Sequence, residues 1–125
     1  MNLILDTSIL IDIQRKNKES IKKLDELIKI YPAPAKITFI TYFEFIHGLR
    51  NKSQKNREKL EEFIEKFSII QTSKETAKIL SALKEKYELP LADLLIASQT
   101  MQDKGIILTK DKDFERISEM NKIII

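Results

Sequence analysis

Short unbroken apolar runs alternate along this chain with stretches whose apolar residues recur every three or four positions, a pattern that predicts strands and helices in turn. Leu3-Ile4-Leu5 suits a strand buried on both faces. It stops at Asp6, Thr7 and Ser8 follow as N-cap candidates, and Ile9, Leu10, Ile11 and Ile13 open the first helix. Ile21, Leu24, Leu27 and Ile28 mark a second helix that ends at Tyr31-Pro32. Ile37, Phe39 and Ile40 form a second strand. Thr41-Tyr42-Phe43-Glu44 then reads as a capping box before a helix carrying Phe45, Ile46 and Leu49. A fourth helix runs through Leu60, Phe63, Ile64 and Phe67, and Ser68-Ile69-Ile70 is a short strand. Ser73 caps a fifth helix with Ala77, Leu80, Leu83 and Tyr87, which Leu89-Pro90 breaks. The sixth runs from Leu91 to Lys104, with Leu94, Leu95, Ala97, Ser98 and Met101 inward and Gly105 as its C-terminal stop. Ile106-Ile107-Leu108 is a buried strand, Thr109 to Phe114 a charged loop entering one helical turn, and Ile123 to Ile125 the last strand.

Strands alternating with helices need crossover connections, so the expected fold class is α/β: a three-layer α/β/α sandwich around a mostly parallel sheet. The 125 residues make a single domain, 1–125, without linker or repeat. No cysteine is present, which excludes disulfides and thiolate metal sites and suits a reducing cytoplasm. No signal peptide is expected, and no apolar run approaches the length of a membrane span. A net charge of +3 leans mildly toward anionic partners. The abundance of Lys, Glu and Ile, with only two glycines, fits either a thermophile or an AT-rich genome.

The candidate chemistry lies in acids placed at strand ends and helix starts: Asp6, Glu44, Asp93, and the pair Asp111 and Asp113. Parallel strands would bring Asp6, Glu44 and Asp111 to one edge of the sheet. Asp93, in Leu-Ala-Asp-Leu-Leu-Ile-Ala-Ser, is flanked by core residues and needs a partner. Each acid alone has an ordinary structural role: a capping box for Glu44, a dipole-favoured first-turn acid for Asp93, an Asx-type turn for Asp111 and Asp113. Asp12 is expected on the solvent face of the first helix. Four separate segments delivering acids to one edge is what points beyond structure. Converging carboxylates repel unless cations separate them, and all-oxygen ligands suit Mg²⁺ or Mn²⁺, which can serve phosphoryl chemistry. Lys110 and Lys112 interleave with the acids. Arg50, Lys52, Lys55 and Arg57 form a basic stretch that also fits a solvated helix face. The single histidine, His47, has no nucleophile elbow to serve, and two isolated glycines make no phosphate loop.

Leu-Asp-Thr-Ser-Ile-Leu-Ile-Asp at the start, Thr-Tyr-Phe-Glu-Phe-Ile-His-Gly-Leu, Leu-Pro-Leu-Ala-Asp-Leu-Leu-Ile-Ala-Ser and Leu-Thr-Lys-Asp-Lys-Asp-Phe-Glu-Arg-Ile together resemble PIN-domain ribonucleases of the VapC toxin type. The resemblance spans essentially the whole chain. It implies that Asp6 and Asp93 are the principal Mg²⁺ ligands and that Glu44 completes an acidic triad. Either Asp111 or Asp113 supplies a fourth acid, with Asp113, just before Phe114, favoured. It further implies that Ser8 hydrogen-bonds within the site and that Arg116 matches a basic residue of the family. The implied activity is a metal-dependent endoribonuclease in which an activated water attacks an RNA phosphodiester, leaving a 3′-hydroxyl and a 5′-phosphate. The implied partners are RNA, a second copy of the chain as a homodimer, and a VapB-like antitoxin whose C-terminal segment inserts near the site. A PIN nuclease of RNA processing and a non-catalytic binding module stay open as alternatives; an upstream antitoxin reading frame separates the first, RNA binding without turnover the second.

Overall fold

The computed structural model describes every residue, Met1–Ile125. Its elements are β1 (Asn2–Leu5), α1 (Thr7–Gln14), α2 (Lys18–Ile30), β2 (Lys36–Thr38), α3 (Phe39–Gly48), α4 (Gln54–Ile64), β3 (Ser68–Ile70), α5 (Lys74–Lys86), α6 (Leu91–Gln102), β4 (Gly105–Thr109) and β5 (Asn121–Ile124). Single 3₁₀ segments cover Leu49–Asn51 and Lys112–Arg116. All five strands join one parallel sheet in the order β3-β2-β1-β4-β5. No helix is long and apolar enough to cross a membrane.

Alternation along β1 divides the core into two halves. Leu3 and Leu5 pack with Ile9, Leu10, Ile37, Phe45 and Leu108 under α1–α4. Ile4 packs with Ile70, Leu94, Ile107 and Phe114 under α5 and α6. The three β1 side chains are essentially buried, each contributing roughly 2 kcal/mol of apolar burial. From β1 the chain winds outward through β2 to β3, then crosses back to lay β4 on the other side of β1. That reversal makes the crevice past the carboxyl ends of β1 and β4 a switch point, the usual ligand position of an open α/β sheet.

Three local expectations change. β2 ends at Thr38, and Phe39 and Ile40 lie in the first turn of α3, not in a strand. Thr38 is the N-cap, accepting the Thr41 N–H at 3.2 Å, so no capping box forms between Thr41 and Glu44. The reason is tertiary: the wholly buried Gln99 side chain accepts the Phe39 N–H at 3.0 Å while donating to the Ile70 carbonyl at 2.8 Å, which fixes where the helix begins. The cap of α1 is likewise Asp6, ahead of Thr7 and Ser8. Finally, α6 stops at Gln102, and Lys104 rather than Gly105 takes the left-handed backbone, at φ 54°. Gly105 opens β4, where an added Cβ would lie 2.4 Å from Ile4 Cδ1 and 3.0 Å from the Asn2 carbonyl oxygen. Glycine is needed there for the close approach of β1.

Candidate active site

Asp6 is held from several sides. Its N–H extends the β1–β4 ladder to the Leu108 carbonyl at 3.1 Å, and its own carbonyl accepts from Ile9 and Leu10 in the first turn of α1. The side chain is therefore fixed at the switch point, and the residue is 7% exposed. Oδ2 accepts the Thr109 hydroxyl at 2.6 Å. Burial raises the carboxyl pKa; the Thr109 hydroxyl and the Thr7 N–H oppose it, and the charges of Glu44 and Asp111 push it up again, leaving it above the ordinary value. Thr109 also accepts the Asp111 N–H at 3.0 Å, so one buried hydroxyl joins Asp6 to the acid loop. Sequence reasoning passed over Thr109; its available signal was a lone hydroxyl closing an apolar strand.

The loop after β4 forms the expected Asx turn, with Asp111 Oδ1 accepting the Asp113 N–H at 2.9 Å. That turn carries both loop acids to Asp93 in the first turn of α6. One carboxylate oxygen from each of Asp93, Asp111 and Asp113 lies within 4.8 Å of the others. Asp93 is pushed up to about 6 by its burial first, then by the charges of Asp111, Asp113, Asp6 and Glu44 in that order. Asp93 thus feels the charges of the other four expected acids, and of these only Asp111 and Asp113 share its oxygen cluster. Asp6, whose Oδ2 is bound by Thr109, is not part of that trio. Glu44, on the second turn of α3, accepts the Thr7 hydroxyl at 2.8 Å. Ser8 accepts the Lys110 N–H at 3.2 Å, holding the loop from the α1 side.

Counter-charges decide what this pocket can do. The molecule's four ion pairs are Lys23–Glu26, Lys36–Asp103, Lys86–Glu119 and Lys110–Asp12, and none involves the five acids. Asp103 makes the contrast plain: at the other edge of the sheet it is held by Lys36 at 3.1 Å and by the Asn2 side-chain amide at 3.0 Å. The site acids have oxygen donors, mutual repulsion and no ammonium or guanidinium among them, a donor set that fits a hard divalent ion such as Mg²⁺ or Mn²⁺. Asp12 departs from expectation. Far from facing solvent, it is 8% exposed and bound to Ser20 and Lys110. Arg116 and Lys112 are exposed. Arg50 and Arg57 each donate to a backbone carbonyl, of His47 and Arg50 respectively, and none of Arg50, Lys52, Lys55 and Arg57 is in an ion pair. His47 stacks on Phe43, ring centroids 5.5 Å apart, on an exposed face of α3.

The family model described as PIN domain matches residues 3–120. This chain belongs to the PIN-domain family. No curated protein matches it in sequence. Among solved structures, the PIN fold seen here is similar to VapBC2 from Rickettsia felis bound to a promoter DNA fragment, with a TM-score of 0.82 at 24% identity, covering 100% of this chain and 99% of that one. VapBC-1 from nontypeable Haemophilus influenzae gives a TM-score of 0.81 at 20% identity over 99% and 98% of the two chains. A toxin–antitoxin complex from Klebsiella pneumoniae gives 0.75 at 26% identity over 98% and 96%. The α/β/α architecture expected from the alternation of strands and helices is therefore the PIN architecture.

Proposed function

We propose that this PIN domain is a divalent-metal-dependent endoribonuclease, the toxin of a toxin–antitoxin pair. The observation that carries the reading is the cluster of Asp93, Asp111 and Asp113, with the charges of Asp6 and Glu44 also felt by Asp93 and no basic side chain paired to any of the five. The similarity to VapBC structures supports the toxin role.

When bound, Mg²⁺ or Mn²⁺ would polarise the scissile phosphate and make an attacking water more acidic. Asp6 and Asp93 are the ligands we assign, with Asp111 and Asp113 clustered beside Asp93. The buried hydroxyl of Thr109 keeps the Asp6 carboxylate oriented, and Thr7 does the same for Glu44. We assign Glu44, exposed and hydrogen-bonded to Thr7, as the group that would take a proton from the incoming water. The phosphorus–O3′ bond then breaks, the leaving oxygen gains a proton, and the products carry a 3′-hydroxyl and a 5′-phosphate.

A groove of about 410 Å³ runs from Thr7 and Glu44 between α1 and α4, past Ile11, Leu49, Leu60 and Lys59. Its mixed apolar and basic lining suits an inserted segment of a small VapB-like antitoxin. α3 and α6 leave Phe39, Phe43 and Leu91 exposed, apolar surface that fits a homodimer. The test is cleavage of single-stranded RNA by the purified chain. Activity should vanish with EDTA, return with Mg²⁺ or Mn²⁺, and fall about 100-fold or more in Asp6→Asn and Asp93→Asn. Cleavage indifferent to both substitutions would remove the assignment.

A further inference from the structure

Asp12 and Lys110 form a contact that no step of the proposed reaction uses. Asp12 lies on α1, six residues beyond Asp6, and its carboxylate points inward. A buried carboxylate is costly unless it is hydrogen-bonded and charge-compensated. Here Ser20 Oγ of α2 donates at 2.5 Å and Lys110 Nζ at 3.0 Å. Ser20 is 2% exposed, whereas the Lys110 side chain keeps 44% of its surface in solvent. Lys110 could therefore extend into water, yet it folds across α1 to reach Asp12. Its backbone N–H is also taken by α1, through Ser8 Oγ at 3.2 Å. The residue is thus fastened at both ends to the helix that begins at Asp6.

Its place in the chain gives that fastening its meaning. Lys110 stands between Thr109, whose hydroxyl orients Asp6, and Asp111, whose carboxylate meets Asp93 and Asp113. The acids after β4 are held by the Thr109 contact, the Asx turn and the short 3₁₀ segment that buries Phe114, none of which reaches α1. A tie from Lys110 to α1 keeps the two ligand-bearing segments in register.

We propose that Asp12, acting through Lys110, is a positioning residue that sets the Thr109–Asp113 loop against Asp6 and Asp93. Its catalytic consequence rests on the nuclease reading; its structural consequence does not. Groups that orient metal ligands typically carry about 10–100-fold of affinity or activity.

Two variants test it: Asp12→Asn, nearly isosteric, and Lys110→Met, which keeps the aliphatic stem of a side chain that is 44% exposed and leaves the Ser20 bond to Asp12 in place. Amide hydrogen exchange should accelerate about tenfold at Lys110, Asp111 and Asp113 in each, with the β1 amides unchanged. The double variant should be no worse than either single one, because both break the same contact. In RNA cleavage, kcat should fall about tenfold with KM unchanged, and Lys110→Arg should retain activity. Unchanged loop exchange in Lys110→Met overturns the proposal. So does a rise in KM without a fall in kcat, which would make Lys110 a phosphate contact instead. If the native chain cleaves no RNA, the nuclease reading falls, and the exchange data still decide the tie. If Asp12→Asn does not fold, Lys110→Met decides alone.

Discussion

Thr109 shows how much of the site depends on a single hydroxyl. It donates to a carboxylate that is nearly sealed from water and accepts the amide that starts the acid loop. Thr109→Val keeps the shape and removes both contacts. The substitution should cost roughly 1–2 kcal/mol in thermal or urea unfolding. It should also raise the Asp6 pKa further, so the acidic limb of the cleavage pH profile moves to higher pH. A profile that keeps its position would show that the hydroxyl does not govern Asp6. Asp93 gives a prediction of opposite sign. Its carboxyl titrates at about 6 in the fold and near 3.8 in the open chain, so the folded metal-free protein carries a penalty above about pH 6 that disappears below pH 3.8. At ~1.4 kcal/mol per pH unit the ceiling is about 3 kcal/mol, and solvent around this half-buried group reduces that to about 1 kcal/mol. Asp93→Asn should therefore raise the metal-free Tm at about pH 7.5 and leave it unchanged at about pH 4. A lower Tm at both pH values would refute the repulsion described here.

Among the elements, β1 and β4 place the site, and their contact is unusually close at one end. Gly105 faces Ile4, a residue with no exposed surface at the centre of the sheet, and an Ala methyl would have to displace it. Gly105→Ala should destabilise the protein by about 1–3 kcal/mol, read as a lower urea midpoint. Because β1 and β4 carry Asp6 and Thr109 at their other ends, the same variant should weaken RNA cleavage while leaving the Asx turn intact. Lys104, with its left-handed backbone at φ 54°, offers the converse: Lys104→Gly should gain up to ~1 kcal/mol. α3 makes a related point about helix starts. Its first turn is set by Thr38 and by Gln99 reaching across from α6, so Glu44 enters the pocket from the second turn, free of any capping duty.

For the molecule as a whole, the energetic balance turns on whether the acid pocket is compensated. On the metal-site proposal, a divalent ion that binds only the folded chain would add about 2.7 kcal/mol to stability at about 100-fold over Kd. Mg²⁺ or Mn²⁺ should thus raise the native Tm by several degrees, EDTA should reverse the rise, and Asp93→Asn should abolish it. Ca²⁺ and monovalent salt at equal ionic strength separate site binding from screening; an equal response to NaCl would mean no metal site. The same experiment in sedimentation reports the oligomeric state expected from the exposed Phe39, Phe43 and Leu91.

The order of strands and helices, the α/β/α architecture, the burial of Leu3-Ile4-Leu5 and the placement of Asp6, Asp93, Asp111 and Asp113 at strand ends and helix starts were legible in the chain, because periodicity and local signals such as the Asx turn at Asp111 act over a few residues. The tertiary structure decided what depends on distant partners. Gln99, 60 residues from Phe39, sets the start of α3; Ile4 explains why residue 105 is glycine; Ser20 and Lys110 hold Asp12 out of solvent. It also brought both loop acids to Asp93, where the sequence had left Asp111 and Asp113 as alternatives. The physical reason is one of range: the burial cost of a carboxylate depends on which charges and hydroxyls surround it in space, and no spacing along the chain specifies that.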